Sequence, residues 1–249
     1  MSGSVLKFDL VGFFNLINYN WEKDLANIEE ICKFTKTRPK KNIDKFFMGY
    51  GSEQPFLIKS IIAKLEAESF FEIGTGRGTA CYSVSLEKSV KSIVTIDKIP
   101  HFMKQDTAIN YKPIKISQRG INKLIRFPEK KKIKFYNTLQ KTYIRKKYKN
   151  NFDVAFIDGN HTDTKIIKND IELCLKVLKE GGVIIFDDYE SKDAEEKQYA
   201  VGAVVDEFLN ENNHYHAYLV EFRGHLFHKD KKELNAGTMI LSPFKLVES

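Results

Sequence analysis

From residue 68 onward the chain alternates short apolar runs with amphipathic stretches, and this alternation constrains the fold more than anything else in the sequence. Ser69–Ile73, Ser92–Asp97, Lys132–Tyr136, Phe152–Ile157 and Val183–Phe186 read as buried strands. Gly78–Glu87, Thr162–Leu178 and Glu195–Asn210 read as helices, and a helical or irregular stretch runs from Asp97 to Phe127. Thr162–Leu178 is the strongest of these. It places Ile167, Ile171, Cys174, Leu175 and Leu178 on one face, with Gly181-Gly182 as the expected stop. Repeated strand–helix units predict a doubly wound α/β fold, a mostly parallel sheet covered by helices on both faces. From Tyr215 to Leu241 two or three strands are predicted around Arg223-Gly224 and Asn235-Ala236-Gly237, adding antiparallel pairing at one edge. Residues 1–66 have a helical texture, with Leu25, Ile28, Ile31 and Cys32 at helical spacing and a second helix from Phe56 to Leu65 after Pro55. The expected organisation is therefore a helical N-terminal extension or substrate cap, 1–66, followed by one domain, 67–249.

With 42% hydrophobic and 29% charged residues, the chain has the composition of an ordinary globular protein. No apolar run approaches the roughly eighteen residues that span a bilayer, and the N-terminus lacks the pattern of a secretory signal. Cys32, Cys81 and Cys174 are far apart and lie in predicted helices, which points to reduced thiols and a cytoplasmic location. Net charge is +7, and part of the excess is local. Between Lys123 and Lys149 stand Lys123, Arg126, Lys130, Lys131, Lys132, Lys134, Lys141, Arg145, Lys146, Lys147 and Lys149 against a single acid, Glu129. Such a run fits either a polyanion surface or a solvated helix face.

The run Phe70-Phe71-Glu72-Ile73-Gly74-Thr75-Gly76-Arg77-Gly78-Thr79 joins a buried strand to a helix, and its glycines allow a tight turn and close approach to a ligand. Nineteen residues after Gly78, the second strand ends in Asp97, where a carboxylate can accept both hydroxyls of a ribose. Together they predict an adenosine-type cofactor at the carboxyl ends of the strands. A dinucleotide fingerprint needs G-x-G-x-x-G for its pyrophosphate. Here the spacing is G-x-G-x-G, Thr79 takes the required third glycine position, and Glu72 leads the loop, where it suits a cationic ligand better. S-adenosylmethionine is the expected cofactor.

Farther along, Phe152-Asp153-Val154-Ala155-Phe156-Ile157-Asp158-Gly159-Asn160-His161 sets a carboxylate and an imidazole just past the fourth strand. Gly181-Gly182-Val183-Ile184-Ile185-Phe186-Asp187-Asp188-Tyr189 sets two more carboxylates past the fifth. Adjacent parallel strands bring these ends together, so Asp158, Asp187 and Asp188 are expected on the rim that carries the glycine loop. Three acids held close repel one another unless a cation or protons intervene, and all-oxygen ligands suit a hard divalent ion such as Mg2+. Simpler roles stay open: Asp187 and Asp188 as caps of the following segment, His161 as a partner orienting Asp158 or as a cap of the next helix.

GTGRG, VTID, FDVAFIDGNH and LKEGGVIIFDDY together resemble the class I S-adenosylmethionine-dependent methyltransferases over roughly residues 48–190. They are most similar to the branch with catechol, caffeoyl-CoA and macrolide-sugar O-methyltransferases and cephalosporin-hydroxylase-like proteins. The resemblance implies a Rossmann-like, seven-stranded sheet with a reversed final hairpin. It implies that Glu72, Gly74, Thr75, Gly76 and Gly78 line the methionine part of the cofactor, that Asp97 holds the ribose, and that Asn137 and Thr138 approach adenine. Gly51 and Ser52 fall where the family's N-terminal helix touches the methionine end. Asp158, Asp187 and Asp188 match the metal ligands; an Asp at the last position departs from the phenol-methylating enzymes and agrees with the sugar-methylating ones. His161 stands three residues after the first ligand, where phenol-type relatives carry a catalytic Lys, and an imidazole there can take a proton from an acceptor hydroxyl. The implied reaction is methyl transfer from the sulfonium to a hydroxyl of a small molecule: a sugar, a phenol or a natural product. A homodimer through the N-terminal segment fits the family. Two rivals remain at this level: a nucleic-acid methyltransferase using the basic surface at 123–149, and a cofactor-binding module without catalysis.

Overall fold

The computed structural model describes residues 5–35, 53–98, 131–191, 199–222 and 236–247. Eight strands form one sheet: β1 (Leu6–Asp9), β2 (Ser69–Ile73), β3 (Ser92–Asp97), β4 (Ile133–Asn137), β5 (Phe152–Ile157), β6 (Leu178–Ser191), β7 (His216–Phe222) and β8 (Ala236–Ser242). Their spatial order is β1-β7-β8-β6-β5-β2-β3-β4. Every pairing is parallel except those that β8 makes with β6 and β7. The described helices are α1 (Leu10–Leu16), α2 (Glu22–Thr35), α3 (Gln54–Lys64), α4 (Thr79–Ser85), α5 (Lys141–Lys147), α6 (Thr164–Val177) and α7 (Val201–Glu211).

Successive strand residues point to opposite faces, and the central strands are apolar on both. On one face Phe70, Val154, Phe156, Val183 and Ile185 join a core with Phe13 and Phe14 of α1, Ile28 of α2 and Ile58 of α3. On the other, Phe71, Ala155, Ile157, Ile184 and Phe186 join Ile144 of α5, Ile167 and Ile171 of α6 and Val204 of α7. This double burial is why Phe70-Phe71 and Val183–Phe186 read as unbroken apolar runs, and it is the doubly wound architecture expected.

The reversed final hairpin is as expected: β7 and β8 pair antiparallel on one side of the sheet, with β8 also antiparallel to β6. Two details differ. Residues 1–66 are not helical throughout: Leu6–Asp9 forms an edge strand parallel to β7, with Leu6 opposite Tyr218, so an eighth strand extends the seven. The Gly181-Gly182 pair does not stop α6. The helix ends at Val177, Leu178 turns to φ −69, ψ 145, and the glycines lie within β6, where Gly181 at φ +79 carries an irregularity in the register against β5. All three cysteines are buried and unpaired. Among the described residues no helix is long and apolar enough to cross a membrane.

The N-terminal helices are anchored by a polar knot. Lys59 of α3, 3% exposed, pairs with Asp24 of α2 at 2.5 Å and with Glu87 after α4 at 3.5 Å, and the Tyr19 hydroxyl donates to Asp24 at 2.5 Å. A lysine this deep is tolerated because both carboxylates face it.

Candidate active site

Because the sheet runs β6-β5-β2-β3-β4, the carboxyl ends of these strands form a row. Along it stand Asp187 and Asp188, then Asp158, the glycine loop, Asp97, and Asn137. The site predicted from separate motifs is one continuous rim, at the place where open α/β sheets bind ligands.

The loop between β2 and α4 is tied down on both sides. Backbone N–H groups of Gly74 and Thr75 donate to the Ile96 carbonyl at 2.8 and 3.3 Å, and the Gly76 N–H donates to Asp97 Oδ2 at 2.7 Å. Asp97 thus orients the loop with one carboxylate oxygen. The glycines do different work. A Cβ on Gly74 (φ +97) would lie 1.8 Å from the Asp158 carbonyl oxygen, so this glycine exists for strand-to-strand packing. A Cβ on Gly76 (φ +49) would meet nothing within 4 Å: here the backbone faces open space, the cradle a ligand needs. Gly78, at φ +81, is the N-cap of α4.

Glu72 is buried beneath the loop. It is 1% exposed, accepts from the Thr95 hydroxyl at 2.5 Å, and Thr95 is in turn 2.5 Å from the Thr75 hydroxyl. Burial pushes the Glu72 carboxyl up to about 8, partly offset by the Thr95 hydrogen bond.

At the far end of the row, Asn137 is opposite Asp97 in register. Its side chain accepts from Leu139 N–H at 2.9 Å and donates to the Lys98 carbonyl at 3.0 Å, forming a capping box with Gln140 over the 3-10 turn Thr138–Gln140. Its amide is already engaged. Leu139 beside it is 92% exposed, an apolar side chain standing at the rim where adenine is expected.

At the other end the acids converge. Asp158 and Asp187 bring their carboxyl groups together, and the folded state favours a proton on them. Burial first, then repulsion from Asp187, Asp188 and Glu72, raises Asp158 well above the carboxylate range. Burial and the Asp188 charge push Asp187 up to about 7, opposed by hydrogen bonds from the Asp188 backbone and the Gln54 side chain. Asp188 itself sits at φ +51, a left-handed conformation unusual for a side-chain-bearing residue and more common at functional sites. His161 stands between the acids, Nε2 3.6 Å from Asp158 Oδ1 and Nδ1 3.4 Å from Asp188 Oδ2, its ring stacked on Tyr199 at 5.0 Å. It does not cap the next helix: Asp163 does, accepting from Lys165 and Ile166 N–H. The donor set is chemically suited to a hard cation, all-oxygen and mutually repelling. Among the described residues, however, no three His, Cys, Asp or Glu side chains are arranged to close around a metal ion.

Gly51 and Ser52 lie outside the described residues, as do positions 123–130 of the basic run. Much of the remainder is used by the fold. Lys141 pairs with Asp170, Lys132 donates to the Ser85 and Glu87 carbonyls at the end of α4, and Lys147 lies over the Tyr143 and Tyr148 rings. Four residues at the site carried no sequence signal that singled them out. Gln54 is the first residue of α3, ahead of the helix start that the sequence places at Phe56; Thr95 is one of many β-branched strand residues, Leu139 is an apolar residue in a polar turn, and Tyr199 is a lone aromatic.

Residues 71–189, just under half the chain, match a family described as Methyltransferase domain. The uncharacterized protein R132 of Acanthamoeba polyphaga mimivirus is 29% identical over 123 residues, 49% of this chain and 52% of that relative, so the chain spans about half the length of the curated relative it matches. Among solved structures, the O-methyltransferase from Bacillus cereus in complex with S-adenosylhomocysteine aligns with TM-score 0.55 at 16% identity, over 87% of this chain and 90% of that one. The O-methyltransferase TomG from Streptomyces achromogenes in complex with S-adenosylmethionine aligns with TM-score 0.55 at 16% identity, over 93% and 94%. At such identities these likenesses speak for the fold. Residues 71–189 match a methyltransferase-domain family, and the chain shares the fold of these O-methyltransferases.

Proposed function

We propose that this chain transfers the methyl group of S-adenosylmethionine to a hydroxyl oxygen of a small molecule, and that Asp158, Asp187 and Asp188 take a divalent cation, Mg2+ most simply. The observation that carries this reading is the acid cluster beside the cofactor loop. Three carboxyl groups, those of Asp158, Asp187 and Asp188, meet there, and burial together with their mutual repulsion pushes Asp158 and Asp187 upward. Such a cluster is costly to hold at neutral pH unless positive charge comes to it. When bound, the cation would bind the acceptor hydroxyl and lower its pKa.

The chain's own residues account for the rest. The open backbone at Gly76 admits the cofactor, and Asp97 offers its remaining oxygen to the ribose. Asp158 and Asp188 hold the His161 imidazole between them, where it accepts the proton of the acceptor hydroxyl as the oxygen attacks. The carbon–sulfur bond breaks as the oxygen–carbon bond forms, leaving S-adenosylhomocysteine, the methyl ether and a protonated imidazole. The rim's contribution is mainly alignment of sulfur, carbon and oxygen in line.

The test is formation of S-adenosylhomocysteine, followed by mass spectrometry, with a panel of catechols and vicinal-diol sugars in Mg2+ and again in EDTA. Turnover that EDTA and Asp187→Ala both abolish is the expected result. Turnover intact in EDTA removes the cation; absence of both turnover and cofactor binding removes the whole reading. A nucleic-acid acceptor is the second reading, supported by exposed Lys134, Arg145, Lys146 and Lys149 on the β4–α5 edge. It predicts RNA binding that weakens steeply with salt.

A further inference from the structure

Glu72 and Thr95 are opposite each other in the β2–β3 register, and their side chains meet beneath the glycine loop. Thr95 is 0% exposed, Glu72 1% and Thr75 5%, so this chain of three polar groups is sealed from water. Buried polar groups must satisfy one another; Glu72 keeps its proton up to about pH 8, and above that, with Glu72 ionised, the count closes in one way. Thr95 has one hydroxyl hydrogen and gives it to Glu72 Oε2 at 2.5 Å. The hydrogen in the 2.5 Å contact between the two threonines therefore comes from Thr75. Thr75 is the loop's second residue, so the chain runs from the buried carboxylate through Thr95 into the backbone that turns around the cofactor. The far end of the loop reaches the same carboxylate: Cys81 Sγ lies 3.3 Å from the Gly78 carbonyl and also bonds Glu72.

We propose that Thr95 is a positioning residue of the cofactor site: its hydroxyl links Thr75 to the buried Glu72 carboxylate and so fixes the glycine loop, without itself touching the cofactor. The proposal rests on the methyltransferase assignment of the domain. It assigns a function to a strand residue that lies outside the glycine motif and two positions before the ribose acid. Backbone bonds to Ile96 hold Gly74 and Thr75 in any variant. What the hydroxyl chain adds is the orientation of the loop beyond Thr75, where Gly76 opens onto the ligand.

Calorimetric binding of S-adenosylhomocysteine tests this on the full chain, with Thr95→Val, Thr75→Val, the double variant and Thr95→Ser. Thr95→Val keeps the shape and the strand propensity and deletes the hydroxyl. Loss of one buried hydrogen bond coupled to the loop is expected to weaken binding about tenfold. Because the two threonines act through one chain, the double variant should also bind about tenfold more weakly, not a hundredfold. Thr95→Ser, which restores the hydroxyl, should bind as the wild type does. A merely structural role would lower thermal stability without this pattern in affinity. Unchanged binding in Thr95→Val, additive losses in the double variant, or a Thr95→Ser as weak as Thr95→Val would each overturn the proposal. If Thr95→Val does not fold, Thr75→Val with Thr95→Ser decides it: tenfold loss in the first and none in the second is the expected pair. Failure of the wild type to bind would instead overturn the cofactor assignment, and the proposal with it.

Discussion

The two glycines of the loop that lie one residue apart should respond to alanine in opposite ways. At Gly74 an added Cβ would stand 1.8 Å from the Asp158 carbonyl oxygen and 2.4 Å from its carbon, with φ at +97. Neither atom is the end of a flexible side chain, so relief requires moving β2 away from β5 at the rim. The backbone conformation alone costs about 1–3 kcal/mol for a residue with a side chain. Displacing two paired strand ends adds a comparable amount, and losses of about 4 kcal/mol or more are reserved for mechanisms of this kind. For a chain of this size each kcal/mol lowers Tm by roughly 2–4 °C, so Gly74→Ala should melt about 8–16 °C below the wild type. At Gly76, φ is +49 and nothing lies within 4 Å of an added Cβ. The cost there is the left-handed conformation alone, about 1–2 kcal/mol. Gly76→Ala should therefore keep its fold within about 8 °C of the wild type and lose cofactor affinity, because the methyl group fills the cradle. Thermal unfolding by circular dichroism and calorimetry with S-adenosylhomocysteine read both halves. A Gly74→Ala protein melting within a few degrees of wild type would refute the packing argument, and a Gly76→Ala protein binding normally would refute the cradle.

Three further outcomes are expected. The buried Glu72 carboxyl titrates near 8 in the folded protein against 4.5 when unfolded, so the folded state holds the extra proton between those values. Stability contributed by this group is present below pH 4.5 and is lost as pH rises through 8, an upper bound of about 5 kcal/mol; urea unfolding at pH 5 and pH 9 should show wild type losing several kcal/mol relative to Glu72→Gln, and parallel curves would count against the burial argument. Asp163→Ala removes the acceptor for Lys165 and Ile166 N–H at the start of α6; a loss of about 1 kcal/mol, seen as a Tm roughly 2–4 °C lower, is expected with S-adenosylhomocysteine binding unchanged. Gln54→Ala withdraws a hydrogen bond from Asp187; turnover should fall about tenfold to a hundredfold while cofactor affinity stays within twofold, and an equal loss of affinity would place Gln54 on the cofactor instead.

The strands were legible in the sequence because they are buried on both faces. Phe70 and Phe71 enter opposite cores, and no polar residue is needed to mark either side. The same logic explains the missed strand. Leu6–Asp9 covers only the edge beside β7, with Leu6, Lys7 and Asp9 exposed, and four such residues carry no periodicity to read. The end of α6 was misplaced because glycine pairs often stop helices, whereas here Leu178 leaves the helix first and Gly182 passes close beneath it: an added Cβ would lie 2.8 Å from Leu178 Cδ2. Acids at strand ends could be located from sequence since strand order aligns them. The bond between Glu72 and Thr95 could not be read by the same means, because it depends on side-chain direction between paired strands rather than on motif position. Gln54 and Tyr199 were illegible for a further reason, as each reaches the site from a different element and meets its partner across a long sequence separation.

The rim behaves as one object because its halves share backbone. The Asp158 N–H donates to the Ile73 carbonyl at 2.8 Å, and the next residue, Gly74, donates to Ile96 at 2.8 Å. Gly74 also faces the Asp158 carbonyl with no room for a methyl group between them. From Ile96 through Gly74 and Ile73 to Asp158 the link is main chain throughout, with no side chain whose rotation could absorb a displacement. A shift of the loop that tilts the cofactor would move the Asp158 backbone with it, and Asp158 carries Asp187 and His161 as partners. In-line transfer is sensitive to displacements of an ångström, so a stiff link between the group that carries the methyl and the groups that hold the acceptor is what the reaction requires. On this view the close approach at Gly74 is a catalytic feature as much as a packing one. Under the proposed reaction, that main-chain contact sets the distance between cofactor and acceptor.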